Sequence, residues 1–437
     1  MSVEAIGLIG MTVLLALIFL RVPVAIAMGL VGLAGYASIS GTDRAMTVLG
    51  QAPFDISSAY TLSQVPLFIL MGDLAMQSGM SARLFHAARS LFLGVRGSQV
   101  FATLGACAAF GAVSGSSLAT AATMTRVAIP EMRRLGYDDR LSTGSVAAGG
   151  SLGILIPPSI PLVIYAIIAE QSVAKLYAAA TIPGLALTLL YMLAIAPVIY
   201  WQRAWTPDET QRLTWGERLA AVGKAWDLIV LVLFTIGGLY TGWFTSTEAA
   251  AMGAFGAFVL GAVQGQLNWE QVKRSFSETV RTTCVLLVVV VCAVVFSYFV
   301  VLTQLPPLLV TTMKGLGIGP VGLIILIIAF YVVLGCFMDG FGMILITVPV
   351  FLPLIVQAGY DPIWFGVILV IVIELGLIHP PVGMNIFVIQ AQVPGVPVVR
   401  IYQGILPYLI APFALLALLV AFPDIALWLP RVLYPAK

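Results

Sequence analysis

Charged side chains are scarce in this chain. Of its 437 residues only 9% are Asp, Glu, Lys or Arg, while 60% are hydrophobic, and the mean hydropathy is +1.06. Soluble globular domains carry charge on about a quarter of their residues. The composition therefore excludes a soluble globular protein and predicts a polytopic membrane protein with on the order of ten to twelve apolar spans.

Other features are also missing. The net charge is only +2, which argues against nucleic acid or another polyanion as a partner. The four cysteines lie in apolar runs without metal-ligand spacing, so we expect neither a disulfide framework nor a zinc site. No G-x-x-x-x-G-K-[ST] element occurs, so transport would use an ion gradient or a partner's nucleotide hydrolysis. The first 25 residues lack a basic region and a cleavage site, and they are interpreted as a retained span.

The most informative feature that is present is an internal repeat with an offset of 223 residues. Three matched features show it without a gap: Ser116 with Asp339 (339 − 116 = 223), Gly153 with Gly376, and Pro157-Pro158 with Pro380-Pro381. Each copy places a polar, Gly-containing turn in an apolar stretch and a Pro-Pro pair further along. Backbone that cannot stay helical at membrane depth must line a protein interior or an aqueous cavity. Paired breaks in two halves of a chain are the best sequence pointer to a transporter's binding site.

The repeat predicts an all-α fold of two similar halves, each with a re-entrant hairpin and a broken transmembrane helix. The predicted boundaries are a first half at 1–201 with its hairpin at 99–134 and broken helix at 141–170, a connecting segment at 202–227, and a second half at 228–437 with its hairpin at 318–357, its broken helix at 363–394 and a last span near 405–428.

Basic residues predict that the two halves are inserted in opposite directions. Cytoplasmic loops carry an excess of Arg and Lys. Residues 304–363, around the second hairpin, contain only Lys314, whereas six arginines flank the base of the first hairpin: Arg83, Arg89, Arg96, Arg133, Arg134 and Arg140. The first base is therefore expected to face the cytoplasm and the second to face outside. The connecting segment is also expected to be cytoplasmic, since it contains Arg203, Arg212, Arg218 and Lys224.

An amphipathic stretch precedes each hairpin, at 81–97 and at 268–282, and the second stretch leads into a span near 282–303. Each mixes charged residues with large apolar ones. Such helices suit the membrane interface, and an ordinary connecting helix packed on the protein is the alternative. We favour helices that brace the protein at the interface.

The turn of the first hairpin is rich in hydroxyl groups. They belong to Ser114, Ser116, Ser117 and Thr120. The following Pro-Pro break frees backbone carbonyls, among them those of Gly153, Ile156 and Pro158. Unwound carbonyls coordinate Na⁺ in transporters, and half-helix N-termini suit a substrate carboxylate. Small residues in packed helices would explain one such site as a simple bend, but two sites at one offset favour binding. The predicted substrate contacts in this half are Ser116, Ser117, Thr120 and Ser159.

The second copy adds an acid, because Asp339 stands where the first copy has Ser116. An acid at membrane depth is costly and is by default a functional-site hypothesis. We predict that it forms a second cation site with carbonyls near Met338, Gly376, His379 and Pro381. His379 is either a proton carrier or a carbonyl ligand, and we favour the carbonyl because Ile156 holds the matching position. Asn385 is predicted to hydrogen-bond a polar substrate.

Three further charged residues lie in apolar stretches without a decided role. Asp73 and Glu374 are either proton relays, partners of an arginine, or caps of a broken helix. Arg126 neutralises either an anionic substrate or one of those acids, and the sequence does not choose between them.

Several of these segments resemble one transporter family. They are GSSLAT (115–120), IPEMRRLGYDD (129–139), GGSLGILIPPSIPLVIYA (149–166), IPGLAL (182–187), STEAAA (246–251) and HPPVGMN (379–385). They are similar to the large membrane subunit of tripartite ATP-independent periplasmic (TRAP) transporters, and the resemblance covers nearly the whole chain. Thr is commoner in the family than His379, and Pro is commoner than Ser246.

The resemblance implies an elevator-type secondary transporter of the bacterial inner membrane and not an enzyme. It implies sodium-driven uptake of organic acids such as C4-dicarboxylates, keto acids or sialic acid. Two partners are also implied, a small membrane subunit of four helices and a soluble periplasmic binding protein that delivers the substrate. The family's sodium sites carry over onto Ser114, Ser116, Gly153, Ile156 and Pro158, and onto Asp339, Gly376, His379 and Pro381.

Two other functions compete with this interpretation. A stand-alone ion-coupled carboxylate carrier would need no binding protein, and uptake by the chain alone would favour it. An intramembrane enzyme would use His379, Glu374 and Asp339 as acid–base groups. Against the enzyme, the sequence shows no nucleophile–base pair, and the repeat would have no explanation.

Overall fold

The computed structural model describes residues 2–207, 213–317, 319–335 and 338–435, and over these ranges it contains helices and no strand. This confirms the predicted all-α polytopic fold with two repeats. Arg212 and Cys336, which belong to the patterns of the sequence analysis, lie outside the described residues, and the side chain of Lys314 is not described either.

The first half consists of ten α-helices and two short 3₁₀ turns, at Tyr60–Ser63 and Leu152–Ile154. The helices are α1 (Val3–Phe19), α2 (Val24–Ser40), α3 (Thr42–Ser58), α4 (Gln64–Gln77), α5 (Met80–Phe92), α6 (Ser98–Ser114), α7 (Ser117–Arg134), α8 (Asp139–Ser151), α9 (Ile160–Ile168) and α10 (Val173–Trp201).

A short helix in the connecting segment, α11 (Trp215–Gly223), leads to the second half. The remaining helices are α12 (Trp226–Tyr240), α13 (Ser246–Val263), α14 (Trp269–Leu302), α15 (Leu305–Gly315), α16 (Pro320–Gly335), α17 (Gly340–Gln357), α18 (Pro362–Ile378), α19 (Met384–Gln392), α20 (Val398–Ile405), α21 (Ile410–Ala421) and α22 (Asp424–Leu433).

The interruptions occur in the segments that the repeat indicated. In the first hairpin α6 ends at Gly115, whose φ of +59° is the left-handed conformation that glycine adopts most readily. Ser116 then caps α7, and Asp339 caps α17 in the second hairpin. The broken helices are the pairs α8/α9 and α18/α19, and both Pro-Pro bonds at their breaks are cis.

The two halves pack on each other reciprocally. Helix α7 of the first hairpin contacts α19, beyond the second Pro-Pro break, and α17 of the second hairpin contacts α9, beyond the first break. Ser117 and Asn385 are hydrogen-bonded at the α7–α19 contact. The Tyr165 hydroxyl of α9 donates to the carbonyl of Pro362 at 2.5 Å. Each hairpin is therefore held by the broken helix of the other half, as expected for two related halves around a pseudo-two-fold axis.

Few of the described helices are long enough to cross a membrane alone. Five are, namely α10, α13, α14, α17 and the continuous stretch Val398–Ala421, and two bent pairs raise the count to seven. Five shorter apolar helices, α1, α2, α6, α16 and α18, add to these. The expectation was on the order of ten to twelve spans plus re-entrant pieces, and three of the shorter helices, α6, α16 and α18, are parts of the hairpins and of a broken helix.

Several boundaries differ from those expected. Helix α3 was not predicted, because Asp43, Arg44 and Asp55 interrupt its apolar character. Helices α15 and α22 were missed as well, since each is much shorter than a span. The last span ends at α21, because the chain turns at Pro423 before α22. The amphipathic stretch 268–282 and the span after it form one helix, α14, whose 34 residues contain neither Gly nor Pro to interrupt it.

The first amphipathic stretch forms α5, which packs on α6 and α11. At its start Arg83 forms an ion pair with the fully buried Asp227 of α12, with a shortest N–O distance of 2.6 Å. At its end Arg218 of α11 donates to the carbonyls of Leu91 and Leu93 at 2.8 and 2.7 Å. The connecting segment thereby fixes α5 at both ends, so α5 packs on the protein along one face.

Candidate ion and substrate site

A cavity of about 600 Å³ lies between the first hairpin and the surrounding helices α4 and α14. This volume is within the range of small-molecule sites. The turn of the hairpin closes one end, where Ser114 and Ser116 line the wall, and Phe341 from the second hairpin lies at the same wall. Predicted site residues of the first hairpin therefore border an open space next to the contact between the two hairpins.

Four charged side chains line the rest of the cavity. Asp73 lies on α4, Arg126 on α7, and Arg274 and Glu278 on α14. Among the described residues no ion pair within 4 Å involves any of them. One carboxylate oxygen of Asp73 is buried and has no hydrogen-bond partner in the described part of the chain. The cavity thus combines an apolar wall with unpaired charges of both signs.

Oxygen atoms cluster behind the turn of the first hairpin. The Ser114 hydroxyl is 2.6 Å from the hydroxyl of Thr120 and donates to the carbonyl of Ser116 at 3.4 Å. Ser114 and Thr120 are buried, and Ser116 is half-buried. The cluster exists because Gly115 turns the chain, so that the end of α6 and the first turn of α7 face one another.

The first Pro-Pro break lies against this oxygen cluster. A Cβ added to Gly153 would be 2.6 Å from the Thr120 hydroxyl and 2.8 Å from the Ser116 carbonyl oxygen, and a Cβ on Gly115 would be 2.8 Å from the carbonyl oxygen of Pro158. Neutral hydroxyl and carbonyl oxygens from two interrupted helices therefore converge without a buried acid. This donor set suits a monovalent hard cation such as Na⁺. Ile156 also lies at the break, with its side chain against Gly184 of α10.

Four of the five predicted substrate contacts do not line the cavity, and one of them, Thr120, belongs to the oxygen cluster. Ser117 and Asn385 bond to each other at 2.8 and 3.1 Å and are almost fully buried. The Ser159 hydroxyl donates to the carbonyl of Ile154 and caps α9 by accepting from the Leu162 N–H. In this conformation these polar groups connect helices, whereas Ser116 alone among the predicted substrate contacts borders the cavity.

The residues predicted to form a second cation site are arranged differently from those of the first. One carboxylate oxygen of Asp339 accepts from the N–H groups of Phe341 and Gly342 at 3.0 and 3.2 Å. The position of Thr120 is taken by Met343 (343 − 120 = 223), so this hydroxyl is missing from the second copy. The second copy therefore has the carboxylate of Asp339 where the first copy has the hydroxyl of Ser116, and it has no hydroxyl at the position of Thr120.

The carbonyls at the second Pro-Pro break also have a different environment. The Tyr402 hydroxyl of α20 donates to the carbonyls of Pro381 and Val382. His379 ends α18, and its carbonyl oxygen lies near Gly383, while Met338 precedes the helix cap and is buried. One carbonyl predicted for the second site, that of Pro381, therefore already accepts a hydrogen bond in this conformation.

Glu374 is the most deeply buried acid of the described residues that no ion pair neutralises. Its side chain is inaccessible to solvent, and neither carboxylate oxygen has a hydrogen-bond partner in the described ranges. It lies on α18 just before Gly376 and packs toward the first broken helix. No arginine partner is present among the described residues, and the carboxylate faces the backbone of Leu155 at the interruption of the first broken helix.

Sequence reasoning missed the wall contributed by α14. Arg274, Glu278 and Thr282 are spaced by four residues and all line the cavity. This spacing places them on one face of a helix, and it was visible in the amphipathic stretch. What the spacing does not show is that this face turns toward the first hairpin and not toward lipid headgroups.

Comparison with known proteins decides the family. Residues 11–425 match the family described as "Tripartite ATP-independent periplasmic transporter, DctM component". The chain belongs to this TRAP transporter family. It is a large permease component, a multi-pass protein of the bacterial inner membrane, and not an enzyme.

Characterised relatives carry matching names. The C4-dicarboxylate TRAP transporter large permease protein DctM of Pseudomonas aeruginosa is 35% identical over 403 residues, covering 90% of this chain and 93% of the relative. The sialic acid TRAP transporter large permease protein SiaM of Vibrio cholerae is 33% identical, covering 85% and 87%. The isethionate TRAP transporter permease protein DctMQ of Oleidesulfovibrio alaskensis is 32% identical over 94% of this chain but only 64% of that longer relative.

A solved structure shares the fold. The YdaH transporter of Alcanivorax borkumensis aligns with a TM-score of 0.63 over 87% of this chain and 88% of that one. At 17% sequence identity the likeness concerns the fold alone. It supports the all-helical fold described above.

Proposed function

We propose that this TRAP permease is a sodium-coupled carrier that imports a small organic anion by an elevator movement. Its substrate would be a carboxylate of the C4-dicarboxylate, keto acid or sialic acid class, or a related acid. A periplasmic binding protein would deliver the substrate, and a small four-helix membrane subunit would complete the membrane complex. The turn of the first hairpin would contribute residues both to the substrate pocket and to the first ion site.

One observation carries this proposal: the buried oxygen cluster and the cavity share Ser114 and Ser116. The hydroxyl of Ser114 lies 2.6 Å from Thr120 inside the cluster, while the same residue borders the cavity. A bound Na⁺ would hold the turn in one arrangement, and the cavity wall would then have one shape. Ion binding and substrate binding are thereby linked, since each favours the same conformation of the turn.

The charge of the cavity and the names of the relatives support an anionic substrate. Two arginines line the space, and an arginine guanidinium matches carboxylate and sulfonate groups geometrically. The named relatives transport a C4-dicarboxylate, sialic acid and isethionate, all of which are acids. We therefore expect the substrate to carry at least one acidic group.

The interface beside the cavity supports a moving carrier. Gly72 of α4 packs so closely on the hairpin turn that an added Cβ would be 2.9 Å from the Cα of Ser114. Among the described residues, the charged side chains that line the cavity form no ion pair, so no such pair must break when the hairpin shifts past α4 and α14. In our proposal the two hairpins and the two broken helices move, while α4 and α14 belong to the static part.

The experiment is uptake by reconstituted protein. The chain is incorporated into liposomes with its small subunit, the binding protein is added outside, and labelled succinate, pyruvate, N-acetylneuraminate and isethionate are tested with and without an inward sodium gradient. Sodium-dependent accumulation of an acid supports the proposal. Accumulation that is equal in sodium and potassium contradicts the coupling.

The same experiment without the binding protein tests the stand-alone carrier. The cavity of this chain is large enough to hold a small acid by itself, which is the observation in favour of that alternative. Full uptake without the binding protein would establish the stand-alone carrier. Uptake that appears only with the binding protein would exclude it.

A further inference from the structure

Arg126 differs from Arg89, Arg133 and Arg134 at the base of the first hairpin. Its guanidinium contacts the sulfur of Met76 at 3.6 Å, and no carboxylate lies within ion-pair distance among the described residues. The arginines nearby are paired: Arg89 with Glu131 at 2.7 Å, and Arg133 with Asp139 at 2.6 Å. The acids at the hairpin base are thus already in ion pairs with other arginines, and the positive charge of Arg126 is not neutralised by a described carboxylate.

Helix geometry places Arg126 on the same face as the hairpin turn. Ser116, Ala119, Thr123 and Arg126 follow one another at intervals of three, four and three residues, and all four line the cavity. Such intervals form one stripe along a helix. From Ser116 to Arg126 the stripe extends roughly 15 Å at 1.5 Å per residue. Side chains on a helix tilt toward its N-terminus, so the guanidinium leans back toward the turn.

The surroundings of this cation favour an exogenous anion. Arg126 is exposed to the cavity, so its guanidinium is open to a ligand from solution, and its thioether partner is only a weak acceptor. A carboxylate or sulfonate would accept two parallel hydrogen bonds from the guanidinium fork, which is the strongest ordinary pairing of these groups. Asp73 and Glu278 line the same cavity, yet neither is paired with Arg126.

We propose that Arg126 binds an acidic group of the transported anion and is a specificity-determining residue of this permease. This rests on the proposed function. The acidic group lies at the end of the cavity remote from the hairpin turn, and the rest of the substrate extends along the α7 stripe toward Ser116. The site takes small carboxylates or sulfonates and discriminates against neutral molecules of the same size.

The first test measures binding without transport. Ala119 is exposed in the cavity between Ser116 and Arg126, so Ala119→Cys in a background without the four native cysteines provides one reporter thiol. The rate of its alkylation by a neutral maleimide is measured in purified protein with millimolar succinate, N-acetylneuraminate or isethionate, and with succinamide as the neutral analogue. We expect protection by at least one acid, none by succinamide, and loss of protection in Arg126→Gln.

The second test uses the sodium-driven uptake assay. Arg126→Gln should raise the KM for the transported acid about tenfold or more, as expected for loss of a charge-assisted contact, with a smaller change in kcat. Arg126→Lys should recover part of the affinity, since it keeps the charge without the fork. Arg133→Gln, on the same helix but outside the cavity, is the matched control and should keep the wild-type KM.

The outcomes separate this inference from the proposed function. An unchanged KM in Arg126→Gln, or acid protection that persists in that variant, overturns the inference while uptake itself still supports the proposed function. If none of the three acids protects the reporter thiol from alkylation, the inference is overturned as well. Protection that depends on Arg126, in a protein that transports none of the tested acids, supports the anion site and counts against the proposed function.

Discussion

Gly335 and Gly376 approach so closely that a Cβ added to Gly376 would lie 2.8 Å from the Cα of Gly335. A similar pair lies in the first half, where a Cβ on Gly111 would lie 2.9 Å from the Cα of Gly153. Gly335 stands one residue beyond the position that the offset of 223 matches to Gly111 (335 − 111 = 224). In each half the contact joins the first arm of the hairpin to the broken helix that follows. Both halves therefore contain a backbone-to-backbone contact that only glycine permits, although the hairpin-arm glycine is shifted by one residue between them, and this contact sets the distance between the hairpin turn and the Pro-Pro break.

Substitution at this contact should destabilise the protein. Gly376→Ala places a methyl group against backbone that has no flexible side chain to move, so we expect a loss of about 1–3 kcal/mol, as for an overpacked core. Thermal unfolding of the purified protein measures it. Gly237→Ala in α12 is the control, because an added Cβ there meets nothing within 4 Å and alanine favours a helix. Equal melting temperatures for the two variants would contradict the tight contact.

The hydroxyl of Thr120 should affect sodium affinity and not stability alone. Thr120→Val keeps the shape of the side chain but removes one oxygen of the cluster around Ser114. We expect the sodium concentration for half-maximal uptake to rise several-fold, with a modest effect on the melting temperature. Thr125→Val is the matched control, since Thr125 is buried on the same helix and its hydroxyl donates only to the carbonyl of Ala121. An equal sodium dependence in both variants would remove Thr120 from the site.

The two helix-capping residues of the hairpins should both be needed for sodium-dependent uptake. Ser116→Ala and Asp339→Asn are each expected to abolish it while leaving expression intact. Asp339→Asn keeps a side-chain oxygen that accepts from Phe341 and Gly342, so the cap of α17 is retained and the lost charge is tested separately. Ser116→Ala also removes a cap, at a cost of about 1 kcal/mol, and its melting temperature is measured alongside. Normal uptake by both variants would eliminate the proposed ion sites.

Stability should depend on pH through the base of the first hairpin. The hydrogen bond from Arg134, aided by the charge of Arg89, holds the pKa of Glu131 below its usual range. A lowered pKa means that the ionised carboxylate stabilises the folded state above the unfolded pKa of about 4.3, and that this stabilisation is lost as the pH falls through the folded pKa. Glu131→Gln should therefore lower the melting temperature at neutral pH, and the difference from the wild type should shrink on acidification.

Asp424→Asn is the comparison for this measurement. Asp424 also pairs with an arginine, Arg431, at 2.6 Å, but both side chains are largely exposed. Exposed pairs contribute little because water and salt screen them. We expect almost no change in melting temperature for Asp424→Asn at any pH. If the effect of Glu131→Gln on the melting temperature did not depend on pH, the ion pairs of Glu131 would contribute as little to stability as the pair between Asp424 and Arg431.

Much of the fold could be predicted because the informative signals are local. A Gly-rich turn and a Pro-Pro pair interrupt a helix wherever they stand, so one offset was sufficient to locate both hairpins and both broken helices. Helix α3 was not predicted because its charged residues resemble those of a loop. The continuity of α14 was not predicted because its composition changes sharply from polar to apolar, whereas its backbone stays helical throughout. Local composition indicates whether a helix is apolar, but not where it ends.

Only part of the candidate site could be predicted from local sequence. Ser114, Ser116 and Thr120 are neighbours in the chain, and their cluster follows from one turn. The cavity does not, since its walls come from α4, α7 and α14, which are far apart in the sequence. Likewise the bond between Ser117 and Asn385 joins residues 268 positions apart, and it turns two predicted substrate contacts into partners of each other.

The amino-acid sequence by itself determined the membrane environment, the repeat and the positions at which helices break, because hydropathy and the backbone chemistry of Gly and Pro act within a few residues. Only the tertiary structure decided which charges face one another. It paired the arginines of the hairpin base with acids and left Arg126 without one, because that outcome depends on how rigid helices pack across the whole chain.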